Sequence, residues 1–116
     1  MSESLRRFTR GLEQLHKLDS TMQLSTALTL LYPALYEGIT QKKIEELLDL
    51  TNASSSRNVA FWTKYKRQAD NTRGDKKVIF DFLSNDQDPN DRRYRTVGLT
   101  PKGQAFITGL TAILER

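Results

Sequence analysis

The stretch that decides the fold runs Asp88-Pro89-Asn90-Asp91-Arg92-Arg93-Tyr94-Arg95-Thr96-Val97-Gly98-Leu99-Thr100-Pro101-Lys102-Gly103. Its first four residues predict a turn, because proline presets φ and Asp and Asn side chains hydrogen-bond to their own backbone. The segment 94–99 alternates as a short strand does. Three arginines, Arg92, Arg93 and Arg95, follow the turn. The pattern therefore predicts a hairpin with guanidinium groups near its tip, which suit a phosphate backbone or a narrow minor groove.

The length, charge and composition of the chain limit the class of protein to which it can belong. The 116 residues are enough for one domain, 1–116, with one hydrophobic core. A net charge of +4 favours a polyanionic partner. The absence of cysteine excludes disulfides, thiolate zinc sites and cysteine redox sensing. The sequence shows neither an apolar run long enough to span a membrane nor a signal peptide, so we expect a soluble cytoplasmic protein.

Hydrophobic periodicity and turn signals predict five helices and one hairpin, which is a mainly α fold with a small β-hairpin wing. Thr40 and Thr100 are placed to cap the third and the last helix, and Pro101 suits a first helical position. Pro33 predicts a kink or an early end of the second helix near Leu31. The predicted helices are 4–18, 22–36, 41–48, 53–68 and 101–114, and the predicted strands are 78–83 and 94–99.

A helix-turn-helix is predicted across 39–59. Ile44, Leu47 and Leu48 form the inward face of its first helix, and Val59 and Trp62 are predicted core residues of its second. The small polar start of that second helix lets it approach base edges closely. The alternative is that the serines 54–56 form nothing more than an N-cap cluster.

Both stretches resemble the MarR-type winged helix-turn-helix regulators. That family reads Leu-Thr-Gln-x-x-Leu-Ala-x-x-Leu-x-Val-Ser in its helix-turn-helix, and Asp-Pro-x-Asp-Arg-Arg followed by a strand and Leu-Thr-x-Lys-Gly in its wing. The resemblance implies a winged helix-turn-helix over 39–100 with extra helices at 4–36 and 101–116. Here Gly74 follows Trp62 at a longer distance than in the family, so either the recognition helix extends toward Asp70 or the loop before the strand is enlarged.

The resemblance implies a dimer that reads double-stranded DNA, and the basic segment 54–77 beside the hairpin agrees with a joint binding surface. Arg57 is the best candidate for a bidentate contact with guanine. The position of Phe61 stays open between packing beneath the wing and exposure. The candidate DNA-binding residues are Thr40, Gln41, Lys42, Asn52, Ser54, Ser56, Arg57, Lys64, Arg92, Arg93 and Arg95.

The first and last helices each carry an apolar stripe. In so small a domain these stripes have little left to cover them, so we expect them to form a homodimer interface. The alternative is that both helices wrap the core of a single protomer. The candidate interface residues are Leu5, Phe8, Leu12, Leu15, Phe106, Leu110 and Ile113.

The sequence offers no catalytic constellation. His16 is the only histidine, and neither a catalytic histidine nor a zinc site works without partners. The aspartates 86, 88 and 91 do not have the spacing of a calcium-binding loop. We therefore expect no enzyme activity, no metal and no cofactor. The resemblance permits a small-molecule effector, which no residue of the sequence supports.

The expected function is that of a sequence-specific transcriptional regulator that binds a palindromic site with its recognition helix and wing. A winged helix that serves as a protein-interaction module is the first alternative. The second is an accessory protein that binds DNA without sequence preference. Salt-dependent affinity for duplex DNA separates the DNA binders from the interaction module.

Overall fold

The computed structural model of the protein describes residues 2–63, 79–87, 90 and 93–116. These residues form five helices and a two-stranded antiparallel sheet, in the order of a winged helix with a helix added at each end. The predicted fold class is therefore confirmed. The elements are α1 (Glu3–Leu18), α2 (Leu24–Leu35), α3 (Gln41–Leu48), α4 (Asn52–Trp62), β1 (Leu83–Gln87), β2 (Arg95–Leu99) and α5 (Pro101–Leu114).

The second helix differs from its prediction. It begins at Leu24 and continues to Leu35, with Pro33 inside it, so the expected early end near Leu31 is wrong. Proline removes its own N–H from the helical ladder and crowds the carbonyl of the residue four positions earlier. The lost bond lies in the last turn, where burial of Leu30 and Pro33 holds the helix in place.

The first helix of the helix-turn-helix has the predicted bounds. The hydroxyl of Thr40 accepts a hydrogen bond from the backbone N–H of Lys43 at 3.0 Å, which confirms the predicted cap. Ile44 is fully buried, whereas Leu47 is 45% exposed, so the prediction that Leu47 faces inward is wrong. The helix ends at Asp49 in the left-handed conformation, with φ of 53°.

The second helix of this motif is shorter than predicted. Thr51 caps α4 by accepting the N–H of Ser54 at 3.1 Å. The helix ends at Trp62, because Thr63 has an extended backbone with ψ of 165°. The predicted continuation to residue 68 is therefore wrong at Thr63. Residues 64–78, with the predicted loop and its enlargement, lie outside the described residues.

The first strand lies later in the chain than predicted. β1 begins at Leu83, where the prediction had a strand end, and its polar residues run through the predicted hairpin tip. Residues 79–82 do not join the sheet, and Asp81 has a positive φ of 55°, which breaks an extended strand. The two strands pair from Leu83 opposite Leu99 to Gln87 opposite Arg95. This pairing overrides the low strand propensity of the polar residues.

The core lies where α2, α3, α4 and the base of the sheet meet. Trp62 is fully buried there and Val59 nearly so, which confirms both as core residues. The indole N–H of Trp62 donates to the carbonyl oxygen of Thr26 at 2.7 Å. Phe61 is half-buried and packs edge-on against Trp62, with a ring-centroid distance of 4.9 Å. Phe80 and Phe82 complete this aromatic cluster.

The sheet is fastened to the helical part of the protein at the middle of β2 and just after its end. The N–H of Val97, at the middle of β2, donates to the carbonyl of Ile39 in the link before α3 at 2.8 Å. Just after β2, Thr100 caps α5 by accepting the N–H of Gly103 at 3.0 Å, as predicted. The N–H of Thr100 donates to the carbonyl of Phe82 at 3.0 Å. These bonds fix β1 and β2, which we call the wing, on the helical core.

The predicted dimer stripes divide between surface and interior. Helix α1 packs against α5, and Gly11 lets Leu114 approach its backbone closely. Leu15 and Leu110, two of the predicted dimer-interface residues, are buried within one protomer, at 6% and 7% exposure, which agrees with the alternative that both helices wrap the core. Phe106 and Ile113 are half-buried. The exposed part of the stripe consists of Leu5, Phe8 and Leu12 on α1.

Within the described ranges, no helix is long and apolar enough to cross a membrane. The same part of the chain contains no group of three or more His, Asp or Glu side chains arranged to hold a metal ion. His16 is exposed on α1. The carboxyl of Asp19, just after α1, accepts the backbone N–H and the hydroxyl of Thr21, at 2.9 and 2.8 Å. These two bonds lower the pKa of Asp19 below its usual 3.8.

Candidate nucleic-acid interface

Helix α4 presents two different faces. Ser55, Val59 and Trp62 point into the core, which follows from their spacing of four and three residues. Arg57 is exposed on the other side, and its guanidinium donates to the hydroxyl of Ser54 at 3.2 Å. This contact holds the arginine over the first turn of the helix. A side chain placed there is within reach of a base edge or phosphate that approaches the helix N-terminus.

Three basic residues lie on α3 and on or next to β2. Lys42 is exposed in the first turn of α3. Arg95 is exposed at the start of β2, and its guanidinium donates to the carbonyl oxygen of Asn85 on the paired strand at 3.2 Å. The guanidinium of Arg93 lies over the ring of Tyr94, 5.7 Å from its centroid. Packing on an aromatic face limits the rotamers of Arg93 before any ligand is bound.

An open cleft of about 610 Å³ lies between the starts of α3 and α4 and the wing. Its lining contains three cationic side chains and one carboxylate, that of Glu45. The cleft is therefore electropositive at its rim and suits an anionic ligand. The lining residues are Gln41, Lys42, Glu45, Asn52, Gln87, Arg93, Tyr94 and Arg95.

A network of polar side chains closes the floor of the cleft. Glu45 accepts the side-chain N–H of Asn52 at 3.0 Å and that of Gln41 at 3.5 Å. The Gln41 amide also donates to the hydroxyl of Ser56 at 3.0 Å, and its oxygen accepts the amide of Asn85 at 3.2 Å. The carboxylate is thereby bonded to neighbours rather than directed at the opening of the cleft.

The structure brings several of the predicted DNA-binding residues together around the cleft. Thr40, just before α3, is joined to the wing by an isolated bridge with Thr96. Lys64 and Arg92 lie outside the described residues. Gln41, Lys42, Asn52, Ser56, Arg93 and Arg95 lie at or against the cleft, whereas Ser54 and Arg57 bond to each other on the exposed face of α4.

Sequence reasoning missed Glu45 and Asn85. Glu45 lies one helical turn after Gln41, a spacing that brings two side chains together on one face. This signal was present in the sequence. Asn85 is 44 residues from Gln41, and its contact depends on the strand register, so no local signal could have found it.

The fold is similar to those of several solved structures. MepR of Staphylococcus aureus in a complex with DNA superposes with a TM-score of 0.60 and is 21% identical, over 97% of this chain and 77% of MepR. MarR superposes with a TM-score of 0.54 at 19% identity, over 95% of this chain and 66% of MarR. The chain has the MarR-type winged helix fold.

A third protein with this fold, RV1404 from Mycobacterium tuberculosis, superposes with a TM-score of 0.62 at 14% identity, over 97% of this chain and 66% of its own. The chain thus spans 66% to 77% of the length of these three proteins. Neither a protein-family model nor a curated protein matches the sequence. In this fold, α3 and α4 form the helix-turn-helix, and β1 and β2 form the wing.

Proposed function

We propose that the protein is a transcriptional regulator that binds double-stranded DNA, and that it is a binding protein rather than an enzyme. The observation that carries the proposal is the basic cleft between the first turns of α3 and α4 and the wing. Its cations come from α3 and from the wing, which suits a polyanion that spans both. The MarR-type fold supports this assignment, because MepR with the same fold was crystallised with DNA.

The geometry supports a division of labour at the interface. Arg57 lies in the second turn of α4, its guanidinium reaches back to Ser54 in the first turn, and we assign it to base reading in the major groove. Lys42 and Arg95 flank the cleft, and we assign them to phosphates. Arg93, beside the loop that joins the two strands, is assigned to the adjacent minor groove.

The experiment is a selection from a random duplex library, followed by affinity measurements across a range of salt concentrations. We expect enrichment of one palindromic sequence and an affinity that falls steeply with salt. Arg57→Ala should cost about 1–3 kcal/mol on that sequence and relax preference at one position. An equal loss on selected and random duplexes would make Arg57 a phosphate contact. Salt-independent or absent duplex binding would instead support a protein-interaction module.

We further propose that two protomers pair through the exposed stripe of α1. Phe8 is 60% exposed, and Leu5 and Leu12 lie beside it one turn away on either side. A two-fold axis there would place two recognition helices in successive major grooves, about 34 Å apart. Sedimentation at micromolar concentration should give the mass of two chains for the wild type and the mass of one chain for Phe8→Asp. The matched control is Leu24→Asp, an equally exposed apolar site on α2, which should remain dimeric.

A further inference from the structure

Gln41 occupies an unusual position for a residue at the start of an exposed helix. It is the first residue of α3, yet it is only 7% exposed. Its side-chain amide touches three other groups: Glu45 one turn later on α3, Ser56 on the recognition helix and Asn85 on β1. A single amide thus connects the first helix of the motif with both parts of the proposed DNA interface.

The orientation of this amide is determined by its neighbours. A carboxylate can only accept hydrogen bonds, so the nitrogen of the Gln41 amide must face Glu45. The oxygen of Gln41 must then face Asn85, which has to offer its own NH₂ group in return. Asn85 on the wing therefore donates to Gln41, and Gln41 in turn donates to Glu45 on α3 and to Ser56 on α4.

Asn85 extends the connection to the surface. Its side chain donates to Gln41, while its backbone carbonyl accepts the guanidinium of Arg95. The residue that orients Arg95 is thereby itself held by Gln41. A shift of β1 that broke the bond between Asn85 and Gln41 would also move the Asn85 carbonyl, which is the acceptor for Arg95.

We infer that Gln41 is a positioning residue that sets the wing, and Arg95 on it, at a defined distance from the recognition helix. This inference rests on the proposed DNA binding and replaces the prediction that Gln41 contacts DNA itself. Both polar ends of its amide are already bonded, and its burial leaves little surface for a ligand. The exposed cations around it make the contacts that Gln41 aligns.

The first test needs no DNA. Gln41→Leu keeps a similar volume and removes every hydrogen bond of the amide, and Asn85→Ala removes the same bridge from the other side. Amide hydrogen exchange of Val97, which bonds across to Ile39, reports on the attachment of the wing. Both variants should exchange roughly fivefold faster at Val97 than the wild type. Amides of α1 should not change, and Gln104→Leu on α5 is the control for a glutamine outside the bridge.

The second test measures duplex affinity against salt. Arg95→Ala should lower the magnitude of the salt slope by about one in the wild type. In the Gln41→Leu variant, Arg95→Ala should lower the magnitude of the salt slope by less than half of that amount, because Arg95 is already misplaced. Gln41 is neutral, so a direct contact of its amide with DNA would leave both the slope and the effect of Arg95→Ala intact.

The outcomes separate the inference from the proposed function. Unchanged exchange at Val97 in both variants overturns the inference, whatever the affinity is. So does a loss of affinity in Gln41→Leu with the full effect of Arg95→Ala retained. If the wild type binds no duplex, the proposed function fails, while faster exchange still establishes the bridge. If Gln41→Leu does not fold, Asn85→Ala carries both measurements.

Discussion

Two glycines of the same helix should respond in opposite directions to the same substitution. A Cβ atom added at Gly103, in the first turn of α5, would lie 2.1 Å from the carbonyl oxygen of Phe82 and 2.9 Å from its carbonyl carbon. Both are backbone atoms, so no side-chain rotation can relieve the contact. At Gly109, two turns further along α5, the same atom would meet nothing within 4 Å.

The magnitudes follow from these surroundings. To accept Gly103→Ala, α5 must move about 1 Å away from Phe82, and overpacking of this kind costs about 1–3 kcal/mol. The movement also strains the bond from the N–H of Thr100 to the same carbonyl, which contributes about 0.5–1.5 kcal/mol. Gly109→Ala should stabilise by about 0.5–1 kcal/mol, because alanine is the better helix former.

Urea unfolding of the two variants against the wild type gives the free energies. We expect Gly103→Ala to lose about 2–4 kcal/mol and the two variants to differ by about 3–5 kcal/mol. A Gly103→Ala protein within 0.5 kcal/mol of the wild type would refute the close approach of α5 to Phe82. Equal losses in both variants would show that α5 tolerates no alanine for a reason other than this contact.

Three further predictions concern single side chains. Trp62→Phe removes the hydrogen bond to α2 and part of a fully buried ring, so it should lower the free energy of unfolding in urea by about 2–4 kcal/mol. The control Phe61→Leu should cost less, because Phe61 is half-buried. The carboxyl of Asp19 should titrate below 3.8 by NMR, and Thr21→Val should raise that pKa partway by removing the hydroxyl donor. The same lowered pKa means that the stabilisation by Asp19 is complete above about pH 4 and lost as the pH falls through its folded value. Lys42→Ala should weaken binding to selected and random duplexes equally and lower the salt slope by about one.

The helix ends were predictable from the sequence because their determinants are local. Thr40 and Thr100 each cap the helix that follows, and each bond spans only three residues. The chemistry of such a cap is contained in the few residues around it. Pro101 likewise occupies a first helical position, where its missing N–H costs nothing.

The first strand was not predictable in the same way. The apolar run 78–83 has the composition of a strand, but Phe80 and Phe82 belong to the aromatic cluster around Trp62. The residues that pair in β1 are polar, and their partner strand comes eight residues later at the nearest. Their place in the sheet is set by that pairing and by the attachment of β2 to Ile39, so propensity pointed to the wrong segment.

The candidate site shows the same limit. The exposed cations could be selected from the sequence, because charge and position beside a turn or helix start are local properties. The burial of Gln41 could not, since the contacts that bury it come from residues 15 and 44 positions away. Sequence reasoning predicts that a polar residue at a helix start is exposed, unless its distant partners are known.

Helix α4, the proposed recognition helix, is held at its two ends by interactions of different kinds, and this difference makes its orientation and its stability separable. At the N-terminal end, the amides and hydroxyl of the Gln41 network are directional and lie partly open to the cleft. At the C-terminal end, Trp62 is fully buried and bonded both to Thr26 and to the N–H of Phe82. A change at the N-terminal end can therefore tilt the helix and alter which bases it reaches while the core stays intact. A change at Trp62 removes the core itself, and its effect on DNA binding is a consequence of unfolding.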